Sequence, residues 1–286
     1  MTNDVWTIRR VLGWTTGFFE RKAIETARLD AELLIADALS IQRMQLYLDI
    51  DKPLADNELA AIRARVERRG TYEPVAYILG TKGFWSLDLM VDQRVLIPRP
   101  ETERLVELAL KALGDTEAPA IADIGCGSGC IALALADERP GAIIHAVDAS
   151  PDALAVARAN GERLEKTIHW HQGDLLGPIE GPLDMVVSNP PYIPTADIAT
   201  LMPDVLQHEP SMALDGGVDG LDLIRRLVSE AADRLRSGGF LLFEIGSDQG
   251  ETAKAVVEAH GAFGDVVVHP DYAKLDRVIA ATRLER

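Results

Sequence analysis

Apolar residues recur at helical spacing through roughly the first 70 positions of this chain. Val5, Ile8, Val11 and Leu12 form one stripe, Ala31, Leu34, Ile35 and Leu39 a second, and Leu59, Ile62 and Val66 a third. Each stripe is the single apolar face of a short helix, and such helices must pack on one another or on a partner. Asn3 and Asp4 stand where caps of the first helix belong, Asp56 precedes the third, and Gly70 stands where that helix is expected to stop. From Pro74 to Pro98 the period changes. Gly80 and Gly83 lead into alternating Trp85, Leu87, Leu89 and Val91, which predicts a hairpin.

From about Ala120 onward, short and nearly continuous apolar runs at 120–124, 143–147, 185–187 and 240–243 read as strands buried on both faces. Runs at 266–268 and 278–281 close the chain. Helical stretches separate them. Ser150-Pro151 pairs an N-cap with proline at the first helical position. Leu223, Ile224, Leu227, Val228, Ala231 and Leu235 make an amphipathic helix expected to stop at Gly238. This alternation predicts an α/β fold, a doubly wound and mostly parallel Rossmann-like sheet, preceded by a small helical domain. The expected division is a helical domain over 1–72, a hairpin linker over 73–98 and the α/β domain over 99–286.

Composition narrows the function classes. The chain has 286 residues, 47% hydrophobic and 26% charged, an ordinary globular balance. No apolar run approaches the roughly 20 residues that a membrane helix needs, and the first ten residues lack the apolar centre of a signal peptide. The expected location is the cytoplasm, with no membrane partner. Cys126 and Cys130 are the only cysteines, too few for a structural zinc site or a disulfide framework, so no metal is expected. Net charge is −16, and residues 1–95 carry 13 Lys+Arg against 14 Asp+Glu, so nearly all the excess lies in the remainder. An acidic α/β domain is a poor grip for duplex DNA, whose phosphates demand lysine and arginine. No direct nucleic-acid binding is expected.

Asp123-Ile124-Gly125-Cys126-Gly127-Ser128-Gly129 lies between a predicted strand and a predicted helix. Glycines there let the chain turn sharply and bring backbone amides close to a ligand. The nicotinamide fingerprint would place its third glycine at position 130, where Cys130 stands, so Gly129 comes one place early. With Asp123 in front, the spacing instead resembles the S-adenosylmethionine loop of Rossmann-like methyltransferases. Asp148 ends the next apolar run, where a carboxylate can accept bonds from both hydroxyls of a ribose. Asp174, followed by Leu175, falls where the third strand should end and where such enzymes hold adenine. Cys126 and Cys130 read as small packing residues around the loop.

Ser188-Asn189-Pro190-Pro191-Tyr192 follows the fourth strand. The prolines end regular structure and stiffen the backbone. The Asn189 side-chain oxygen and the Pro190 carbonyl can then accept both hydrogens of a planar NH₂ group, with Tyr192 stacked on its face. An amide nitrogen is a poor nucleophile because its lone pair is delocalised, so the chemistry needs alignment with a methyl donor more than an attacking side chain.

At this point the chain resembles the protein-(glutamine-N5) methyltransferases that modify peptide release factors. The shared pieces include 73–77, 84–87, Leu96-Ile97-Pro98-Arg99-Pro100-Glu101-Thr102, the glycine loop, 189–192, and Glu209-Pro210 before Leu214-Asp215-Gly216-Gly217. The resemblance implies that Gly125, Cys126, Gly127, Ser128, Gly129 and Asp148 bind S-adenosylmethionine. It also implies that Asn189, Pro190, Pro191 and Tyr192 grip the glutamine of a Gly-Gly-Gln loop on a release factor. The position after Asp174 is often aromatic in relatives; here Leu175 leaves a backbone contact to adenine. The 99–102 stretch looks like the release-factor branch rather than the branch that modifies a ribosomal protein. Other readings are an adenine-N6 methyltransferase on DNA or RNA, which must extract its base from the stack, and a non-catalytic module docking through its helices. The helical domain is the expected unit of partner recognition.

Overall fold

The structure, a computed structural model, describes residues 5–285. Its first five helices are α1 (Ile8–Arg21), α2 (Ala27–Ala38), α3 (Gln45–Leu48), α4 (Asp56–Gly70) and α5 (Val75–Leu79). A hairpin of β1 (Thr81–Phe84) and β2 (Leu87–Met90) follows. The α/β region runs α6 (Glu103–Leu113), β3 (Ala120–Ile124), α7 (Cys130–Glu138), β4 (Ile143–Asp148), α8 (Pro151–Arg163), β5 (His169–Gln172) and β6 (Leu183–Ser188). It continues through α9 (Pro203–His208), α10 (Asp222–Arg234), β7 (Leu235–Glu244), α11 (Gly250–His260), β8 (Phe263–Pro270) and β9 (Asp276–Arg283). No helix among the described residues is long and apolar enough to cross a membrane.

The chain forms two compact units. One holds the chain up to Gly80 together with Met202–His208; the other holds Thr81–Leu201 and Glu209–Arg286. In the helical unit, Ile8, Val11, Leu12 and Phe19 of α1 pack with Ala31, Leu34 and Ile35 of α2 and Ile62 and Val66 of α4. The helical stripe of the sequence is this core, with corrections at its ends. Asn3 and Asp4 lie outside the described residues; the N-cap of α1 is Thr7, whose hydroxyl accepts from Arg10 N at 3.4 Å, and Val5 is exposed before the helix. Asp56 is the first residue of α4, and Glu58 caps that end by accepting from Ala55 N at 2.8 Å. Gly70 is still helical. A Cβ there would stand 3.0 Å from the Phe18 ring, so the glycine lets α4 approach α1.

Polar chemistry also holds this unit. Arg69 and Asp30 pair at 2.7 Å with side chains only 6% and 7% exposed, and the same guanidinium donates to the carbonyls of Tyr72 and Glu73. Asp204, on α9, stands 3.7 Å from Arg69, and His208 Nε2 lies 3.0 Å from the Thr71 carbonyl oxygen. These contacts place 202–208 with the helices.

In the second unit the sheet order is β5-β4-β3-β6-β7-β9-β8, parallel from β5 to β7, with β9 antiparallel to both β7 and β8. Two apolar clusters cover its faces. One includes Leu105, Leu133 and Ala157; the other includes Ile224, Leu227 and Val257. The hairpin spans 81–90, with residues 75–79 before it helical, and its Phe84, Leu87 and Leu89 belong to the first cluster. Leu235, assigned by periodicity to the preceding helix, opens β7 instead, paired with Leu183. Gly238 sits inside that strand with φ of 77°.

The Asp30–Arg69 pair yields the first prediction. Asp30→Ala leaves a buried guanidinium without its carboxylate, a loss worth about 3 kcal/mol or more. Chemical denaturation of the two proteins measures it.

Candidate active site

Strand order decides where a site can form. From β3 the chain moves to β4 and β5 on one side, then returns to β6 and β7 on the other, so β3 and β6 flank the switch point. Ligands of such sheets bind beyond the carboxyl ends of the strands at this crevice. Ile124 and Ser188 are register partners, and the Ser188 hydroxyl donates to the Ile124 carbonyl at 2.7 Å. Gly125 and Asn189 therefore leave the sheet side by side. Both line a cavity of about 520 Å³, with Gly127, Asp148, Leu175 and Pro191 among its walls.

The glycine loop folds over the end of β4. Gly125 N and Cys126 N both donate to the Val147 carbonyl, at 2.8 and 3.0 Å. Asp148 accepts from Gly127 N and from Ser150 N, each at 2.9 Å, and the Ala149 amide also bonds it. Burial pushes the Asp148 carboxyl above its usual range, against the backbone bonds that lower it. Gly125 and Gly127 have φ of 71° and 54°, and a Cβ built at either meets nothing within 4 Å. They leave open a cradle that side chains would fill. Gly129 differs: with φ of 81°, a Cβ there would stand 3.1 Å from the Trp170 ring and 3.2 Å from Leu133. Its role is close packing beneath the loop.

Of the other expected cofactor residues, Asp123, Cys126 and Ser128 lie behind the cavity wall. Asp123 is fully buried; its Oδ2 accepts from Ala132 N at 3.0 Å, in the first turn of α7, and its Oδ1 has no partner. Burial, with a smaller push from Asp148, raises its pKa to about 7. It supports the loop from below instead of facing the cavity, because the amides at the start of a helix draw the carboxylate inward. Cys126 and Ser128 are buried, and burial pushes the Cys126 thiol up. Asp174 is exposed and pairs with Arg226 at 2.5 Å, both at the cavity rim. Leu175 is buried with φ of 46°, a strained conformation for a leucine, and lines the cavity.

The 189–192 stretch is clamped on its outer side. Ile193 N donates to Leu214 O at 3.0 Å, and Gly216 N to Ile193 O at 2.9 Å. A Cβ on Gly216 would lie 2.7 Å from the Pro191 carbonyl oxygen, so the two segments touch backbone to backbone. Gln249 Nε2 donates to the Tyr192 carbonyl at 2.9 Å. Pro190 is buried and is not among the residues that line the cavity. Tyr192 departs from expectation. Its ring packs on the apolar cluster of the sheet and its hydroxyl donates to Glu244 at 3.2 Å, so it does not wall the cavity. A phenol sunk this deeply needs a buried acceptor, and Glu244 supplies one. Burial raises the Tyr192 phenol above its ordinary pKa.

Several residues around the site had no role in it by the sequence reading, although Arg99, Thr102 and Glu209 carried the family resemblance. Asn160, fully buried on α8, accepts from Met90 N and donates to the carbonyls of Met90 and Ser128, tying the hairpin to the glycine loop. Arg99 donates to both oxygens of buried Glu209, at 2.7 and 2.9 Å. Thr102 and Glu244 bond at 2.6 Å beside Asn189. Glu244 was legible in principle, since it ends an apolar strand as Asp148 does.

Comparison with known proteins now decides the family. The PrmC N-terminal domain model matches residues 10–80, and the methyltransferase small domain model matches 104–217. The chain is 46% identical over 277 residues to the release factor glutamine methyltransferase of Geobacter sulfurreducens, covering 96% of each chain. It is 44% identical over 282 residues to that of Moorella thermoacetica, covering 98% of this chain and 99% of the relative. The chain belongs to the release factor glutamine methyltransferase family. A methyltransferase from Pyrococcus furiosus has the same fold, with a TM-score of 0.54 at 16% identity over 78% of this chain and 98% of that one. As in other methyltransferases of this fold, the cofactor is S-adenosylmethionine. The open glycine cradle, the carboxylate of Asp148 and the cavity volume suit a nucleoside-bearing molecule of that size.

Two predictions follow from these environments. Asp148→Ala removes the acceptor at the end of β4 and is expected to weaken S-adenosylmethionine binding by about 1–3 kcal/mol, read by calorimetry. The second concerns Asp123. Unfolded aspartate titrates near about 3.9, whereas Asp123 in the folded chain titrates at about 7. Between those values the folded state holds a proton that the unfolded state has lost, so its contribution falls as pH rises through the window. Asp123→Asn cannot ionise. Its stability relative to the unaltered protein, measured without cofactor, should grow from about pH 4 to about pH 7 and then level off. A difference independent of pH would return Asp123 to its ordinary value.

Proposed function

We propose that this chain transfers a methyl group from S-adenosylmethionine to the side-chain amide nitrogen of a glutamine in the Gly-Gly-Gln loop of peptide chain release factors. Membership of the family supports the reaction. The single structural observation that carries the reading is the orientation of Asn189, a residue of the cavity wall: its Nδ2 donates to Thr102 Oγ1 at 3.1 Å. With the NH₂ end engaged, the oxygen is the end left to accept a hydrogen bond.

Bound S-adenosylmethionine supplies an electrophilic sulfonium methyl. The backbone at Gly125 and Gly127, with Asp148, holds the cofactor, while Asp174 and Leu175 border its adenine end. The chain's own contribution at the acceptor is alignment. Asn189 Oδ1 and the Pro190 carbonyl accept the two hydrogens of the glutamine NH₂ and hold its nitrogen at one place, where orientation replaces nucleophilic strength. As the N–CH₃ bond forms and the S–CH₃ bond breaks, positive character develops on that nitrogen and the same two acceptors bind it more tightly. One of its two hydrogens leaves as a proton to solvent. Pro191 walls the pocket beside them, and Tyr192 supports the stretch from inside. Asp123, Cys126, Ser128 and Gly129 shape the loop from beneath.

The partner is a protein and not a nucleic acid. The excess negative charge lies beyond residue 95, in the part that carries the site. Duplex DNA meets such a surface as repulsion, while a loop glutamine adds no charge and needs no unstacking. The helical unit, near neutral in charge, receives the release factor. Release factors work at the ribosome, so the enzyme acts in the cytoplasm.

The test supplies labelled S-adenosylmethionine with release factor, with the same factor carrying Gln→Ala in its Gly-Gly-Gln loop, and with duplex and single-stranded DNA. Label is expected only in the first. Asn189→Ala should retain most of its cofactor affinity and lose most of its turnover, by roughly a hundredfold if one transition-state acceptor is removed. Comparable label in DNA, or in the altered factor, sinks the reading.

A further inference from the structure

The stretch Arg99 to Thr102 marks the resemblance of this chain to its family, and in the reaction above Thr102 enters only as the acceptor for Asn189 Nδ2. Thr102 is fully buried, as is Glu244 at the last position of β7. The Thr102 hydroxyl lies 2.6 Å from Glu244 Oε2 and 3.1 Å from Asn189 Nδ2, while Glu244 Oε1 accepts from the Tyr192 hydroxyl. We propose that Thr102 and Glu244 are a positioning pair that sets which end of the Asn189 carboxamide faces the substrate, and so makes the site accept an amide by its nitrogen and not by its oxygen. The inference rests on the reading of Asn189 as the glutamine grip.

A carboxamide is nearly symmetric in shape. Rotated by half a turn it exchanges O for NH₂, and only its hydrogen-bond partners distinguish the two states. The partners here form a chain of fixed polarity. A carboxylate is acceptor-only, so both hydroxyls that reach Glu244 must donate to it, one to each oxygen. Thr102 has a single hydroxyl hydrogen, and Glu244 takes it. What Thr102 then presents to Asn189 is a lone pair, which only the NH₂ end can satisfy. The reverse rotamer would set two acceptors against each other, or strip buried Glu244 of a donor.

The consequence falls on the substrate. With Oδ1 outward, Asn189 accepts from an NH₂ group. With Nδ2 outward it would instead donate, and would hold the glutamine by its carbonyl oxygen with the nitrogen away from the transfer point. Burial raises the Glu244 carboxyl above its ordinary range, with Glu101 adding to the rise, while the two hydroxyls and the nearby Arg277 guanidinium act against it.

The test is steady-state kinetics of the full chain on a purified release factor with labelled S-adenosylmethionine. Thr102→Val keeps the shape and removes the hydroxyl; Thr102→Ala removes it without placing a methyl against Glu244. Each should lower kcat about tenfold or more, the scale of one misdirected hydrogen bond, with cofactor Kd changed less than about twofold. Thr102→Ser should restore kcat to within about threefold. Added to Asn189→Ala, where no carboxamide remains to be oriented, Thr102→Val should lower residual turnover no further.

Wild-type kcat in both Thr102→Val and Thr102→Ala overturns the inference. So does an equal loss from Thr102→Val with and without Asn189, or a failure of serine to rescue. If Asn189→Ala loses turnover while the Thr102 variants do not, only this inference falls. If Asn189→Ala turns over normally, the glutamine grip falls and takes the positioning pair with it.

Discussion

The bond from the Ser188 hydroxyl to the Ile124 carbonyl closes the one junction on which the site depends. A parallel sheet delivers the carboxyl ends of its strands to one edge, and the order of β3 and β6 opens a crevice there. Because Ile124 and Ser188 are register partners, the glycine loop and the 189–192 stretch begin at the same height. A slip of one residue would turn Asn189 to the other side of the sheet. The Ser188 bond, buried between two central strands, ties the two ends together where the regular ladder runs out.

Around that junction the chain divides its labour between open and filled space. Gly125 and Gly127 leave room on the cavity side, while Gly129 and Gly216 are glycines because neighbours already occupy the space a side chain would need. Two buried amides keep this arrangement still: Asn160 beneath the glycine loop and Gln249 behind Tyr192. Neither walls the cavity. Alignment of a poor nucleophile tolerates little looseness, which explains why so much buried hydrogen bonding surrounds so few cavity-facing groups.

Much of this was legible from local pattern. The helical stripe of Ile8, Val11 and Leu12 became the core of the helical unit, and the apolar runs at 120–124 and 185–187 lie within β3 and β6. Asp148 stood out because it ends an apolar run, and the same rule applied to Phe240–Glu244 would have found Glu244. Element ends were less legible. Leu235 fits the periodicity of α10 yet pairs with Leu183 as a strand, since a sheet neighbour outweighs a helical pattern at its last position. Gly70 reads as a stop signal but serves a close contact with Phe18.

The sequence by itself determined which backbone could bend at Gly125 and Gly127, which acid followed each strand, and where two prolines would end regular structure. These are properties of neighbours along the chain, and spacing records them. Tertiary structure alone decided which way the polar side chains turned. Asp123 went inward to the start of α7, and Tyr192 went inward to Glu244, because a buried helix end and a buried carboxylate were there to be satisfied. Thr102 meets Asn189 across 87 positions and Glu244 across 142. The face that Asn189 shows the cavity is set by those distant partners, because a carboxamide takes its direction from what it bonds and not from what precedes it in the chain.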